Sequence, residues 1–268
     1  MTATEDLQQQ TDPQARLDEP EPSATTDALR VATRYLAMPL FLAAVLVILY
    51  VVVQARGIDA IEARTLNWPV ISTRVQQHIV LTATATALLI LLAVPTGIVL
   101  TRPWARRAVP YIVTVANIGQ ATPSIGVLVI LALIFGIGFE IALVGLVAYG
   151  FLPILRNTMV GLQQVDPFTI EAGRGMGMTK RAVLWRIEMP LAVPVILAGI
   201  RTALIITVGT ATLATFIGAG ALGAIIDQGL ALNRPNVLYT GAILTACLAL
   251  FVDYVAGIAE EKLRPRGL

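Results

Sequence analysis

Long uncharged apolar runs constrain this chain more than any other feature. Tyr35–Val53 (YLAMPLFLAAVLVILYVVV) carries no charge and approaches the roughly 20 residues that an α-helix needs to cross a bilayer core. Ile79–Leu100 is a second run, bounded by His78 and Arg102. From Ala108 to Leu155 the only charge is Glu140; this stretch is too long for one crossing and fits two, joined at the turn Gly136–Glu140. A fifth run leaves Pro190 and reaches Ile217, and a sixth covers Val237–Ile258. The expectation is an all-α integral membrane protein with membrane lipid as its main solvent. Composition agrees, since 13% of the residues are charged, about half of the roughly 25% usual in soluble domains.

The remaining composition mainly excludes. One Cys and one His rule out a disulfide framework, a multi-Cys zinc site and a Cys–His pair built on a second histidine. A net charge of +2 gives no reason to expect nucleic acid as a partner. Residues 1–34 are rich in Asp, Glu, Gln, Pro and Thr and too poor in apolar surface to order themselves, so a disordered cytoplasmic tail is expected. They lack a basic region followed directly by a short apolar run, so they do not read as a cleavable signal peptide. Residues 35–78 then form one span with an external segment, residues 79–260 the main transmembrane domain, and residues 261–268 a cytoplasmic tail.

Basic residues orient the set, because they concentrate on the cytoplasmic side. With the N-terminus inside, that side collects Arg16, Arg30, Arg34, Arg102, Arg106, Arg107, Arg156, Arg174, Lys180, Arg181, Arg186, Lys262, Arg264 and Arg266. Outside remain Arg56, Arg64, Arg74 and Arg234, while Arg201 stands alone within a span. A plasma-membrane protein with both termini cytoplasmic is therefore expected.

One polar insertion, EAGRGMGMTKRAVLWRIEMP (Glu171–Pro190), lies in the expected cytoplasmic loop 157–189. Asp166 can cap a short helix with Pro167 at its first position. Glycines 173, 175 and 177 are expected to break that helix and turn the chain. Thr179 can cap a second helix, Lys180–Glu188, which Pro190 separates from the next span. The loop holds no nucleophile–base pair and no metal-ligand spacing, so it reads as a docking element.

Glu171, Ala172, Gly177, Ile187 and Pro190 fall at the spacing Glu-Ala-x-x-x-x-Gly, nine residues, Ile-x-Leu-Pro, with Gly173 for the usual second Ala and Met189 for Leu. This resembles the cytoplasmic signature loop of the membrane subunits of binding-protein-dependent ABC importers. The stretches NIGQATPSIGVL, LPILRNT, PLAVPVILAGIRTA, ATLATFIGAGALG and PRGL extend the likeness to the permeases of quaternary-amine osmoprotectant importers (glycine betaine, choline, carnitine or proline betaine). The resemblance implies a type I importer bundle, a five-span core plus one extra N-terminal span. It also implies that Glu171, Ala172, Gly173, Gly177, Ile187 and Pro190 couple the chain to a cytoplasmic ABC ATPase subunit. An extracytoplasmic solute-binding protein and a second permease chain, same or related, complete the implied assembly. No G-x-x-x-x-G-K-[ST] occurs, so no cofactor is expected here, and ATP and Mg belong to the partner subunit. Other small solutes, such as methionine or a phosphonate, and an ion-coupled carrier are the alternatives.

Within the spans, Gln120, Thr122, Pro123 and Ser124 form a polar, proline-kinked stretch that could line a translocation path or pack against its own helix. Thr210 and Thr212 sit in a run of small residues with the same two readings. Arg201 is expected to form a structural ion pair with Asp253, because a lone charge at that depth is costly. His78 reads as a residue of the outer membrane interface. The aromatic residues Tyr149, Phe151, Trp185, Phe216 and Tyr239 are too scattered to suggest a cation cage. The topology is testable: an impermeant thiol reagent added outside should label Leu66→Cys and Asn233→Cys and spare Ala182→Cys and Arg264→Cys. Labelling at position 182 would overturn the orientation.

Overall fold

The computed structural model describes residues 24–263, with side chains from Tyr35 onward. Its helices are α1 (Ala24–Arg56), α2 (Trp68–Leu100), α3 (Val109–Ala121), α4 (Ser124–Phe135), α5 (Phe139–Gln163), α6 (Pro167–Gly175), α7 (Lys180–Ala211), α8 (Gly223–Ala231) and α9 (Pro235–Leu263). Short 3-10 turns join several of them. Five of these helices are each long and apolar enough to cross a membrane, and the bent pair α3–α4 makes a sixth crossing if it counts as one.

Several boundaries differ from the sequence-based expectation, each for a local reason. The tail expected to be disordered through residue 34 already joins α1 at Ala24. Extending an existing helix adds one hydrogen bond per residue without a new nucleus, and Ala24, Ala28, Leu29 and Arg30 are good helix formers. The rest of the expected disordered tail, residues 1–23, and residues 264–268 of the expected cytoplasmic C-terminal tail lie outside the described residues. α2 starts at Trp68, ahead of its apolar run, because the Asn67 side chain accepts the Val70 N–H at 3.0 Å and Pro69 sits in the first turn. α8, with nine residues, is too short to cross a membrane and carries no apolar run of span length.

The expected kink at Pro123 is a full break: the segment Pro103–Ala121, which ends in α3, meets α4 at 100°. Pro123 has no N–H to donate, and its ring forces Thr122 out of the helical region, to ψ 138°. With 13 and 12 residues, the two halves measure about 20 and 18 Å at 1.5 Å per residue. Neither alone covers a core about 30 Å thick. The turn between α4 and α5 lies where expected, with Gly136 and Gly138 at φ 93° and 136°.

Pro190 does not separate a helix from a span. α7 runs through it, because Leu184–Glu188 widens into a π-turn in which the Met189 N–H reaches Leu184 O. The wider turn carries the helix past the missing Pro190 N–H and the carbonyl that its ring would strike. Within the expected loop 157–189, α5 continues to Gln163, α7 begins at Lys180, and α6 with its flanking turns lies between them.

Helices α2, α5 and α7 pack at the centre. A Cβ on Gly150 of α5 would lie 2.7 Å from Leu89 Cδ1, and one on Gly199 of α7 2.5 Å from Asn157 Cβ, so these backbones approach as closely as small residues permit. Leu81, Ala85, Leu128, Leu146, Ala211 and Ala214 form one buried cluster, and Leu89, Ala93, Ile154 and Ala203 a second.

His78 is fully buried, not an interface residue. Its Nε2 lies 3.0 Å from Val208 O, and Nδ1 accepts the Leu222 N–H at 3.3 Å. The imidazole thus serves two backbone groups where α7 gives way to the turns before α8. His78→Ala would leave both unpaired, at about 1–3 kcal/mol for each buried group. Thermal unfolding of the purified protein should show a lowered Tm, with a smaller loss for His78→Gln. An unchanged Tm in His78→Ala would dismiss the bridge.

Candidate coupling loop and transport path

The polar insertion folds as a hairpin of α6 over the first turns of α7. Asp166 Oδ1 accepts the Phe168 N–H at 3.0 Å, Pro167 occupies the first turn, and Thr179 Oγ1 accepts the Ala182 N–H at 3.2 Å. Gly173 and Gly175 stay inside α6, contrary to the expected break, because the helical bonding carries through them. Gly177, at φ 85°, makes the turn. Gly173 is buried: a Cβ there would lie 2.5 Å from Ile187 Cδ1 and 3.6 Å from Val183 Cγ2. Close packing thus seats α6 on the π-turn.

Glu171 and Ala172 are exposed on α6, while Ile187 supports the hairpin from below. Three large apolar side chains of the hairpin are exposed: Phe168 at 78%, Met176 at 75% and Trp185 at 62%. An apolar display of this size outside the long apolar runs fits a protein partner better than water.

Two ion pairs anchor the surrounding helices. Arg102, just after α2, donates from Nη2 to Glu188 Oε2 at 2.6 Å, and the Glu188 side chain is only 6% exposed. The sequence reading missed this pair: Arg102 counted there only as a topology signal, and Glu188 received no partner. Arg201 meets Asp253 through two bonds, Nε–Oδ1 at 2.5 Å and Nη2–Oδ2 at 2.9 Å, and reaches Glu260 at 3.4 Å. It fastens α9 to α7, and the absence of a side chain at Gly257 gives the guanidinium room, since a Cβ there would lie 3.3 Å from Nη1. About a third of each side chain remains exposed, 37% for Arg201 and 30% for Asp253.

The polar span residues are distributed unevenly. Gln120, Thr122 and Ser124 are half-buried around the α3–α4 break, and the Thr122 hydroxyl donates to Ile118 O at 2.8 Å. α4 packs through Leu128 against Ala211 and Ala214, which brings the break's second half to the end of α7. There Thr210 is buried in packing, and Thr212 donates to Gly209 O at 2.6 Å. A groove of about 450 Å³ between α3 and α5 is lined by Tyr111, Val115, Gly119, Phe151 and neighbouring apolar residues, and none of these polar candidates reaches it.

Two exposed features mark one face of the bundle. Ala198, Thr202, Ile205 and Gly209 form an exposed stripe along α7 at helical spacing. Arg156 of α5 is exposed and donates from Nη2 to Asn117 Oδ1 of α3 at 2.8 Å. A guanidinium does not face hydrocarbon without cost, so the surface around Arg156 belongs to water or to protein.

Residues 93–265 match the family described as binding-protein-dependent transport system inner membrane component. The choline transport system permease protein OpuBB of Bacillus subtilis (strain 168) is 43% identical over 192 residues, 72% of this chain and 88% of that one. The carnitine transport permease protein OpuCD of Listeria monocytogenes serotype 1/2a (strain 10403S) is 41% identical over 190 residues, 70% of this chain and 84% of its own length. The osmoprotectant import permease protein OsmY of Salmonella typhimurium is 37% identical over 225 residues, 84% of this chain and 94% of that one. Among solved structures, an inward-facing MetNI methionine ABC transporter superposes with a TM-score of 0.64 at 23% identity, covering 73% of this chain and 96% of that chain. That likeness places the fold among type I ABC importer permeases. With the family match spanning most of the helical bundle, this chain belongs to the binding-protein-dependent transport system inner membrane components, as a multi-pass permease of an ABC importer.

Proposed function

We propose that this permease carries a quaternary-amine osmoprotectant (glycine betaine, choline, carnitine or proline betaine) across the bacterial plasma membrane. The names of the choline, carnitine and osmoprotectant permeases it resembles at 37–43% identity support the solute class. Both termini lie in the cytoplasm, and the α6–α7 hairpin seats in a groove of a cytoplasmic ATPase subunit, which binds ATP and Mg. An extracytoplasmic solute-binding protein delivers the solute, and a second permease chain covers the face marked by Arg156 and the α7 stripe. The observation that carries the coupling reading is the hairpin itself, with Glu171, Ala172, Phe168 and Met176 exposed and Gly173 packed closely on Ile187.

The solute would pass along the α3–α4 break, where Gln120, Thr122 and Ser124 gather, and past Thr212, with Thr210 packed behind. Pro123 holds that break open. The solute class is tested by reconstituting the chain with its ATPase and binding protein in vesicles and measuring ATP-dependent uptake of radiolabelled amines. Uptake of at least one of the four, and none of methionine, is the expected outcome; methionine uptake alone would overturn the assignment.

The coupling loop is tested at Gly177. Nothing lies within 4 Å of a Cβ added there, so Gly177→Val acts only through its left-handed backbone, at about 1–3 kcal/mol of local strain. The variant should insert normally, yet lose ATPase association and uptake together. Normal uptake at normal expression would end the coupling assignment.

A further inference from the structure

We infer that the Arg102–Glu188 ion pair is the latch that carries movement of the α6–α7 hairpin into α2, and so ties ATP hydrolysis to transport. The inference rests on the coupling reading proposed above. α6 bears on Val183 and Ile187 through the Gly173 contact, and both lie at or beside the π-turn Leu184–Glu188. A π-turn interrupts the regular i→i−4 ladder, and such turns recur at functional positions inside helices. Displacement of α6 would be absorbed there as bending unless the turn were tied to something beyond α7.

Glu188, the last residue of the turn, is tied. Arg102 contacts both of its carboxylate oxygens, Nη2 to Oε2 at 2.6 Å and Nη1 to Oε1 at 3.4 Å. Arg102 is itself fixed to the end of α2, because its Nε donates to Ile98 O at 3.3 Å and its Nη2 to Thr101 Oγ1 at 2.9 Å. One guanidinium therefore caps α2 and clamps the base of the hairpin, in a fork geometry that Lys does not reproduce. α2 in turn packs on α5 and α7 through Leu89, Ala93, Ile154 and Ala203. A hairpin displacement passed through this pair reaches the central helices along two routes, α7 directly and α2 through the latch. Arg102 and Glu188 act as positioning residues, since neither meets solute or nucleotide.

The test uses the complete transporter in vesicles and reads three quantities: ATPase subunit retained on the permease, ATP hydrolysed, and solute taken up per ATP. Glu188→Gln and Arg102→Gln should retain the ATPase subunit and hydrolyse ATP. Their uptake per ATP should fall by about 2- to 30-fold, the range that residues along a coupling network contribute. The swapped pair Arg102→Glu with Glu188→Arg should recover much of the loss. If the glutamine variants are not recovered folded, Arg102→Lys carries the same test, with its ratio expected below wild type. A wild-type ratio in the folded single variants overturns the latch, as does a swap no better than the single changes. Failure of the coupling reading looks different: the wild-type complex would show no ATP-driven uptake, or Gly177→Val would keep its ATPase subunit.

Discussion

A bilayer interior offers no water to backbone groups, and most of this structure follows from meeting that condition. At two interruptions of the helical ladder a local arrangement satisfies freed groups. At the α4–α5 turn the Gly138 N–H reaches across to Ile217 O at 2.8 Å. In α7 the Met189 N–H finds Leu184 O one residue beyond the usual partner. The same condition disposes of many hydroxyls: Thr82, Thr96, Thr202, Thr207 and Thr245 each donate to the carbonyl four residues back. Among the described residues the disposal is incomplete: the Thr86 and Thr158 hydroxyls are buried with no hydrogen-bond partner.

Helix association in lipid lacks the hydrophobic drive available in water, so close van der Waals contact takes its place. Gly150, Gly161 and Gly199 let α2, α5 and α7 approach to the point where an added methyl would strike a neighbour. Polar pairs then fix the helices in register: His78 to Val208 and Leu222, Arg201 to Asp253, Arg102 to Glu188. Each joins residues far apart in sequence, so each constrains tertiary arrangement more than local conformation.

That distinction decides what was legible beforehand. Crossings declared themselves through apolar length, and the helix caps at Asp166 and Thr179 through chemistry confined to neighbouring residues. The type I permease fold was implied by the resemblance to ABC-importer permeases that Glu171, Gly177, Ile187 and Pro190 carry. What escaped depended on packing or on a balance between local rules. Pro190 reads as a stop by its own chemistry, yet a π-turn lets the helix pass. Pro123 reads as a kink, yet with Thr122 extended the chain breaks through a right angle. His78 at the edge of an apolar run looks interfacial until α2 is seen to begin at Trp68, which carries the histidine inward to partners 130 and 144 residues away. The buried environment of Glu188 depends on Arg102, 86 residues earlier, and no local pattern links them.

Arg156 has a consequence for how the broken span is held. Its guanidinium bonds Asn117, roughly 12 Å along α3 from Val109 at 1.5 Å per residue. That bond joins α5 to the first arm of the broken span across 39 residues, at a point close to the α3–α4 break and far from the start of α3. An arm fastened near its tip pivots about that point and does not swing freely from its root.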